Sequence, residues 1–241
     1  MEKRGFPAGF LVLGVCLVLS AVAFGIFFYQ SRLPAKTIRV VGAATRRFDS
    51  DVVKWRLTMV RNTGADDLKR GYAAIKDDLK SFAALLAAAG IPAREMTVQP
   101  INVEQVYSQY EKSGNPVGYR VVQSLYVVSR DLGKVEKLAL NPGTLVDSGI
   151  LLQSSNLEYY CSELSEIKRQ LLAAATKDAR RRAEEIARGS GDRVGSIESA
   201  RVGVFQITEP YSTEVSDYGI YNTATREKDI TVTISVVFGL R

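Results

Sequence analysis

Positions 6–29 carry no charge and are almost wholly apolar, and no later stretch stays apolar for so long. At about 1.5 Å per helical residue, such a run reaches about 36 Å, enough to cross a hydrocarbon core of about 30 Å with some tilt. A cleavable signal has a shorter apolar core and a small-x-small cut site. Ala21, Val22 and Ala23 offer such a site, but a cut there leaves the apolar residues 24–29 as the new N-terminus. The length therefore favours a retained anchor. The expected division is a tail at 1–5, a transmembrane anchor at 6–29, a linker at 30–36 and one water-facing domain at 37–241. Lys3 and Arg4 on the short side favour a cytoplasmic head and an exported domain, with Phe27, Phe28 and Tyr29 as an aromatic belt.

Within the domain the pattern switches between two periods. Residues 37–41 form a short β-branched run ending at Gly42, and a polar stretch covers 46–51. Val53, Trp55, Leu57 and Met59 then alternate with Lys54, Arg56 and Thr58, which predicts a strand with one wet face. Leu68, Tyr72, Ile75, Leu79, Phe82 and Leu86 fall at helical spacing, with Asp66 or Asp67 as a cap and Gly90 and Pro92 as a stop. Residues 96–107 and 119–128 read as strands around a hairpin-like loop at 108–117. A short helix follows Asp131 and ends at Asn141, Pro142 and Gly143. Residues 151–161 read as extended. The longest soluble helix covers 162–188 and stops at Gly189 and Gly191. Strand character returns at 194–207, a Tyr-, Ser- and Thr-rich loop fills 210–228, and Ile230, Val232, Ile234 and Val236 alternate in a last strand. The order β-β-α-β-β-α-β-α-β-β predicts an α+β fold: largely antiparallel sheets packed with about three helices, arranged as one domain or two coupled subdomains.

Composition removes whole classes of chemistry. Among 241 residues there is no histidine, which excludes Ser-His-Asp and Cys-His catalysis and His-ligated zinc. Of the two cysteines, Cys16 lies in the apolar run, so Cys161 has no partner for a disulfide within the domain; its apolar neighbours predict burial. The net charge is +6, of which Lys3, Arg4 and Arg32 against Glu2 place +2 before the domain. That mild basicity carries no nucleic-acid signature.

Several motifs have bland readings that outweigh the sharp ones. Ser165 and Lys168 spell S-x-x-K, but the S-D-N and K-T-G companions of penicillin-binding enzymes are missing. The glycine-rich residues 189–195 follow a helix, where glycine caps a C-terminus, and do not precede one as a phosphate loop does. Asp66 with Asp67 and Asp77 with Asp78 are read as solvated or capping pairs. Ala175, Ala179, Ala183 and Ala187 share one helix face and predict close packing on a sheet. Lys177, Arg180, Arg181 and Arg182 form a basic cluster, either an anion-binding patch or ion-paired through Arg180–Glu184 and Arg181–Glu185. Tyr107, Tyr110, Tyr211, Tyr218 and Tyr221 lie in two loops, where they either fold back or meet a partner.

The order of these features resembles the SIMPL-domain family, also known as DUF541, of bacterial envelopes. The resemblance rests on residues 38–42 (IRVVG), on Asp51 before the second strand, on 118–127 (GYRVVQSLYV) and on 131–135 (DLGKV). It rests most on 175–187 (ATKDARRRAEEIA), followed by Gly191, Val194 and Gly195. Ala44 replaces the family's frequent second glycine, and Ser50 its frequent proline. The resemblance implies a periplasmic or membrane-anchored α+β protein without catalysis, cofactor or metal, and a tendency to self-assemble. The expected function is an oligomeric scaffold or interaction protein at the bacterial inner membrane, held in the lipid bilayer through residues 6–29. The alternative is a non-assembling binding module for an envelope lipid, glycan or peptide.

Overall fold

The computed structural model describes residues 8–32, 36–107 and 115–241. Helix α1 (Ala8–Arg32) is followed by β1 (Thr37–Asp49), β2 (Val52–Gly64), α2 (Leu68–Ala88), a 3₁₀ turn at Ala93–Glu95 and β3 (Met96–Tyr107). Then come β4 (Pro116–Ser129), α3 (Leu132–Ala139), α4 (Pro142–Asp147), β5 (Leu152–Tyr160) and α5 (Leu164–Ser190). The chain finishes with β6 (Val194–Val202), β7 (Gln206–Thr208), β8 (Ile220–Tyr221) and β9 (Glu227–Leu240). The fold is α+β, and the only parallel pair among the described strands is β7 with β8.

Two sheets share the work. The first holds β1, β9, β7 and β8 in order, with β6 beside β7 on the same flank of β9. Its spine is the antiparallel β1–β9 ribbon, in register from Thr37 opposite Gly239 to Asp49 opposite Glu227. Ile230, Val232, Ile234, Val236 and Phe238 of β9 alternate inward and are buried beneath α5. Helix α5 offers Ile167, Leu171, Ala175, Ala179, Ala183 and Ala187, spaced by four and all buried. The alanines bring the helix so close that a Cβ at Gly42 would sit 2.3 Å from the Ala175 carbonyl oxygen.

The second sheet runs β3-β4-β2-β5, antiparallel throughout. Trp55, Leu57 and Met59 of β2 and Val121, Leu125 and Val127 of β4 are buried under Ile75, Phe82 and Leu86 of α2. The Trp55 ring tilts against Phe82 with centroids 5.4 Å apart, and its Nε1 donates to Ser155 Oγ at 2.9 Å. Each sheet thus has its own apolar core and its own covering helices.

Several expectations need correction. The polar residues up to Asp49 continue β1, because β9 pairs with them to the end and Arg47 bonds Asp229 at 2.8 Å. Asp78 is not solvated. It is buried and receives Arg61 Nε at 2.7 Å and Nη2 at 2.6 Å. Asp67 occupies the N-cap of α2, but its side chain makes no capping bond. Residues 141–143 start α4 as well as ending α3, which gives four α-helices among the described residues of the domain. Gly189 stays helical, and α5 stops at Gly191, whose φ of 78° only glycine adopts freely. Cys161 is half-buried, not buried.

Residues 11–29 of α1 are long and apolar enough to cross a bilayer, and their side chains are exposed rather than packed on the domain. A helix of this kind near an N-terminus marks an anchor or a signal sequence.

Candidate functional site

The five tyrosines do not converge on one point. Tyr110 lies outside the described residues. Tyr107 ends β3, half exposed, with its hydroxyl donating to Gln105. The others belong to the 209–221 connection between β7 and β8. Tyr218 is 97% exposed, Tyr211 86% and Val215 77%. Tyr211 is held in an unusual backbone shape, φ 65°, under the Arg47 guanidinium, which lies 4.5 Å from its ring centroid. Asp229 fixes Arg47 through Nε at 2.8 Å and Nη2 at 3.0 Å. That bond, with the Tyr211 hydroxyl behind it, raises the guanidinium pKa and keeps the arm charged. Tyr221 packs back instead, its ring 6.2 Å from Tyr160. Tyr221, in β8, is thus partly covered by Tyr160, whereas Tyr218 and the braced Tyr211 stand almost wholly in solvent.

Beside this loop runs β6, an edge strand. It pairs with β9 alone among the described strands, leaving its outer backbone edge open. Ile197, Val202 and the neighbouring Val204 are exposed. A cavity between the strand end and the loop is lined in part by Val202, Val204, Val215 and Thr233. Charge at Glu198 and Arg201 and two register shifts blunt part of this edge, as is usual for edge strands.

The basic cluster on α5 is largely neutralised. Arg180 Nε reaches Glu184 at 3.0 Å, as the spacing predicts. Arg181 and Arg182 both turn back to Asp178 at 2.7 Å, not forward to Glu185. Asp178 also accepts the Ala43 amide at 3.0 Å, and this bond, ahead of the arginines, holds its carboxyl below the ordinary range. The cluster thus pins α5 to β1. Lys177 has no ionic partner among the described residues.

One constellation does not follow from any motif in the sequence. Lys228, read as the end of a loop, belongs to β9 and is 1% exposed. Its Nζ donates to Ser50 Oγ at 3.0 Å, to the Tyr159 carbonyl at 3.2 Å and to the Thr225 carbonyl. Ser50 links β1 to β2 and Tyr159 lies in β5, so this ammonium ties the two sheets together. Burial pulls its pKa down to about 8, against the pull of Cys161. Next to it Asp51 takes the Ser162 amide at 2.7 Å and the Ser162 hydroxyl. Those bonds outweigh partial burial and hold the carboxyl below its ordinary pKa. A serine hydroxyl beside a lysine amine is the arrangement of a nucleophile and its base. Here Ser50 is 3% exposed, and a sealed hydroxyl reaches no substrate. The contact is a structural tie. Lys168 of the S-x-x-K pattern lies instead over the Phe205 ring, 5.2 Å from its centroid.

Two one-sided sheets, each roofed by helices and preceded by a long apolar helix, define an α+β domain with a membrane-anchor or signal segment. The family model described as SIMPL, protein of unknown function (DUF541), matches residues 38–238, and the chain belongs to that family. No curated protein matches it.

Proposed function

We propose that this protein is a membrane-anchored, non-catalytic scaffold that assembles with copies of itself on the outer side of the bacterial inner membrane. The observation that carries the reading is the pair of solvent-held tyrosines, Tyr211 and Tyr218, on a loop whose Val215 shares a cavity with Val202 and Val204 at the end of β6. Aromatic side chains that are held out in solvent and braced from behind suit a protein partner. An open strand edge offers a row of backbone donors and acceptors to a second strand. Lipid is a poor occupant for this surface. Tyr211 touches Arg47, ten strand residues beyond Thr37, or about 33 Å along β1 from the anchored end. Anchoring raises the local concentration of the domain, so weak contacts suffice for assembly. The Lys177, Arg180, Arg181 and Arg182 face enters this reading as a brace and not as an anion site.

The test is sedimentation of the full chain in detergent across a range of concentrations. The wild-type protein should form a defined oligomer, and the Tyr211→Ser, Tyr218→Ser double variant should fall to monomer with an unchanged thermal midpoint. A wild-type chain that stays monomeric at every concentration overturns the scaffold and leaves the binding module in its place.

A further inference from the structure

The end of the first sheet nearest the anchor is basic, and its charges have no partners. Lys36 precedes β1, Arg188 lies in the last turn of α5, Arg193 precedes β6 and Arg241 follows β9. Backbone bonds draw three of these segments together. The Leu240 amide donates to the Lys36 carbonyl, and Arg193 and Arg241 exchange amide-to-carbonyl bonds, all at 2.8 Å. Arg188 and Arg193 line an open cavity of about 440 Å³ around the αL turn at Gly191. All four basic residues are exposed, and none forms an ion pair among the described residues. Glu184 is held by Arg180, so Asp192, which accepts the Ser190 hydroxyl at 3.1 Å, and Glu198 beside Gly239 are the acids set against these four cations.

Chain length fixes where this end sits. Arg32 ends α1 and Lys36 lies four residues on, so the two are no more than about 14 Å apart. The apolar run stops at Tyr29, so Lys36 is held within about 19 Å of the hydrocarbon edge whatever path residues 33–35 take. The headgroup layer fills about 5–7 Å of that distance, so Lys36 lies at most about 12–14 Å from it, under two Debye lengths of about 8 Å.

We propose that Lys36, Arg188, Arg193 and Arg241 form a docking face for the headgroups of anionic phospholipids in the bilayer that α1 enters. The proposal rests on α1 being a membrane anchor, and it assigns that anchor a second, electrostatic contact that sets how the domain stands on the surface. Each cation close to an anionic surface multiplies the docked population about fivefold. The paired arginines of α5 cannot supply this. Arg180 lies eight residues before Arg188, about 12 Å further along the helix axis.

The experiment places the full chain in nanodiscs of phosphatidylcholine, with or without phosphatidylglycerol, and follows amide hydrogen exchange at residues 188–195. Exchange there should be slower on the anionic discs. High salt should abolish the difference, as should the combined Lys36→Gln, Arg188→Gln, Arg193→Gln, Arg241→Gln variant. The Lys69→Gln, Arg70→Gln variant, altered on α2 over the other sheet, should keep it. Equal exchange on both discs, with the chain inserted in each, overturns the headgroup face alone. A chain that enters neither disc overturns the anchor and the face together.

Discussion

Gly42 is where the tightness of the first sheet can be measured. A Cβ added there would lie 2.3 Å from the Ala175 carbonyl oxygen, 2.5 Å from the Ala179 amide nitrogen and 2.7 Å from the Ala179 Cβ. Ordinary contact begins near 3.4 Å, so Gly42→Ala requires α5 to lift by about 1 Å. Two of the three obstacles are backbone and cannot rotate away. Overpacking of a core costs about 3 kcal/mol at the upper end of its usual range. Replacing a strand glycine returns about 0.5–1 kcal/mol of chain entropy. The clash wins, and the net loss is about 2 kcal/mol. With a urea slope of about 2 kcal/mol/M, the midpoint should fall by about 1 M. Far-UV circular dichroism reports the whole fold, and the fluorescence of Trp55, the chain's one tryptophan, reports the second sheet. The double variant Gly42→Ala, Ala179→Gly removes only the 2.7 Å obstacle and adds a helix glycine costing about 1 kcal/mol, so it should not recover the midpoint. Gly64→Ala meets nothing within 4 Å and serves as the clash-free comparison, whose midpoint should hold or rise slightly. An unchanged or raised midpoint for Gly42→Ala refutes the packing argument, and full recovery in the double variant refutes the backbone as its cause.

The remaining predictions concern buried charge. Asp78→Ala leaves the Arg61 guanidinium without its carboxylate beneath α2, and should lower stability by about 3 kcal/mol in urea titration; a loss under about 0.5 kcal/mol would show the pair to be solvated. Lys228 should make stability depend on alkaline pH. Its folded pKa of about 8 lies below the ordinary 10.5, so between these values the unfolded chain binds a proton that the folded chain does not. Stability should therefore rise with pH across that window, as a penalty of about 3 kcal/mol for the buried ammonium is relieved. Cys161, raised by burial from its ordinary 9.0, and Tyr159, pushed up to about 12, act in the opposite sense at higher pH. In a Cys161→Ser background, urea midpoints measured from about pH 7 to pH 10 should climb, and Lys228→Met should flatten the climb; a level profile with Lys228 present rejects the assignment.

Much of the architecture was legible because each sheet is covered on one face. One-sided burial writes alternation into β2, β4 and β9 and a four-residue ladder into α5, and these can be read without coordinates. The misreadings share a cause: long-range partners. Arg46 and Arg47 look like loop residues until β9 is laid beside them, and Gln170 and Asp229 take up their guanidinium groups. Asp78 looks like a surface acid until the fold delivers Arg61 from β2. Lys228 sits at an inward position of its strand, where alternation calls for an apolar residue, and that break in pattern was the available signal. Two of its three partners lie 178 positions away at Ser50 and 69 away at Tyr159, beyond any local motif. The exposed tyrosines could be named from composition. How far each stands in solvent was decided by the backbone around Tyr211 and by the Tyr160 ring beside Tyr221, and neither leaves a trace in spacing.

The β1–β9 ribbon also dictates an order of events during synthesis. β1 emerges early, yet its one ladder partner among the described strands comes more than 170 residues later. Everything the second sheet needs, from β2 to β5, is made in between and closes on itself. That half can close while β1 still hangs unpaired. The Arg, Thr and Gly residues along β1 then serve the nascent chain as well as the finished one: they keep a waiting strand soluble until its mate arrives.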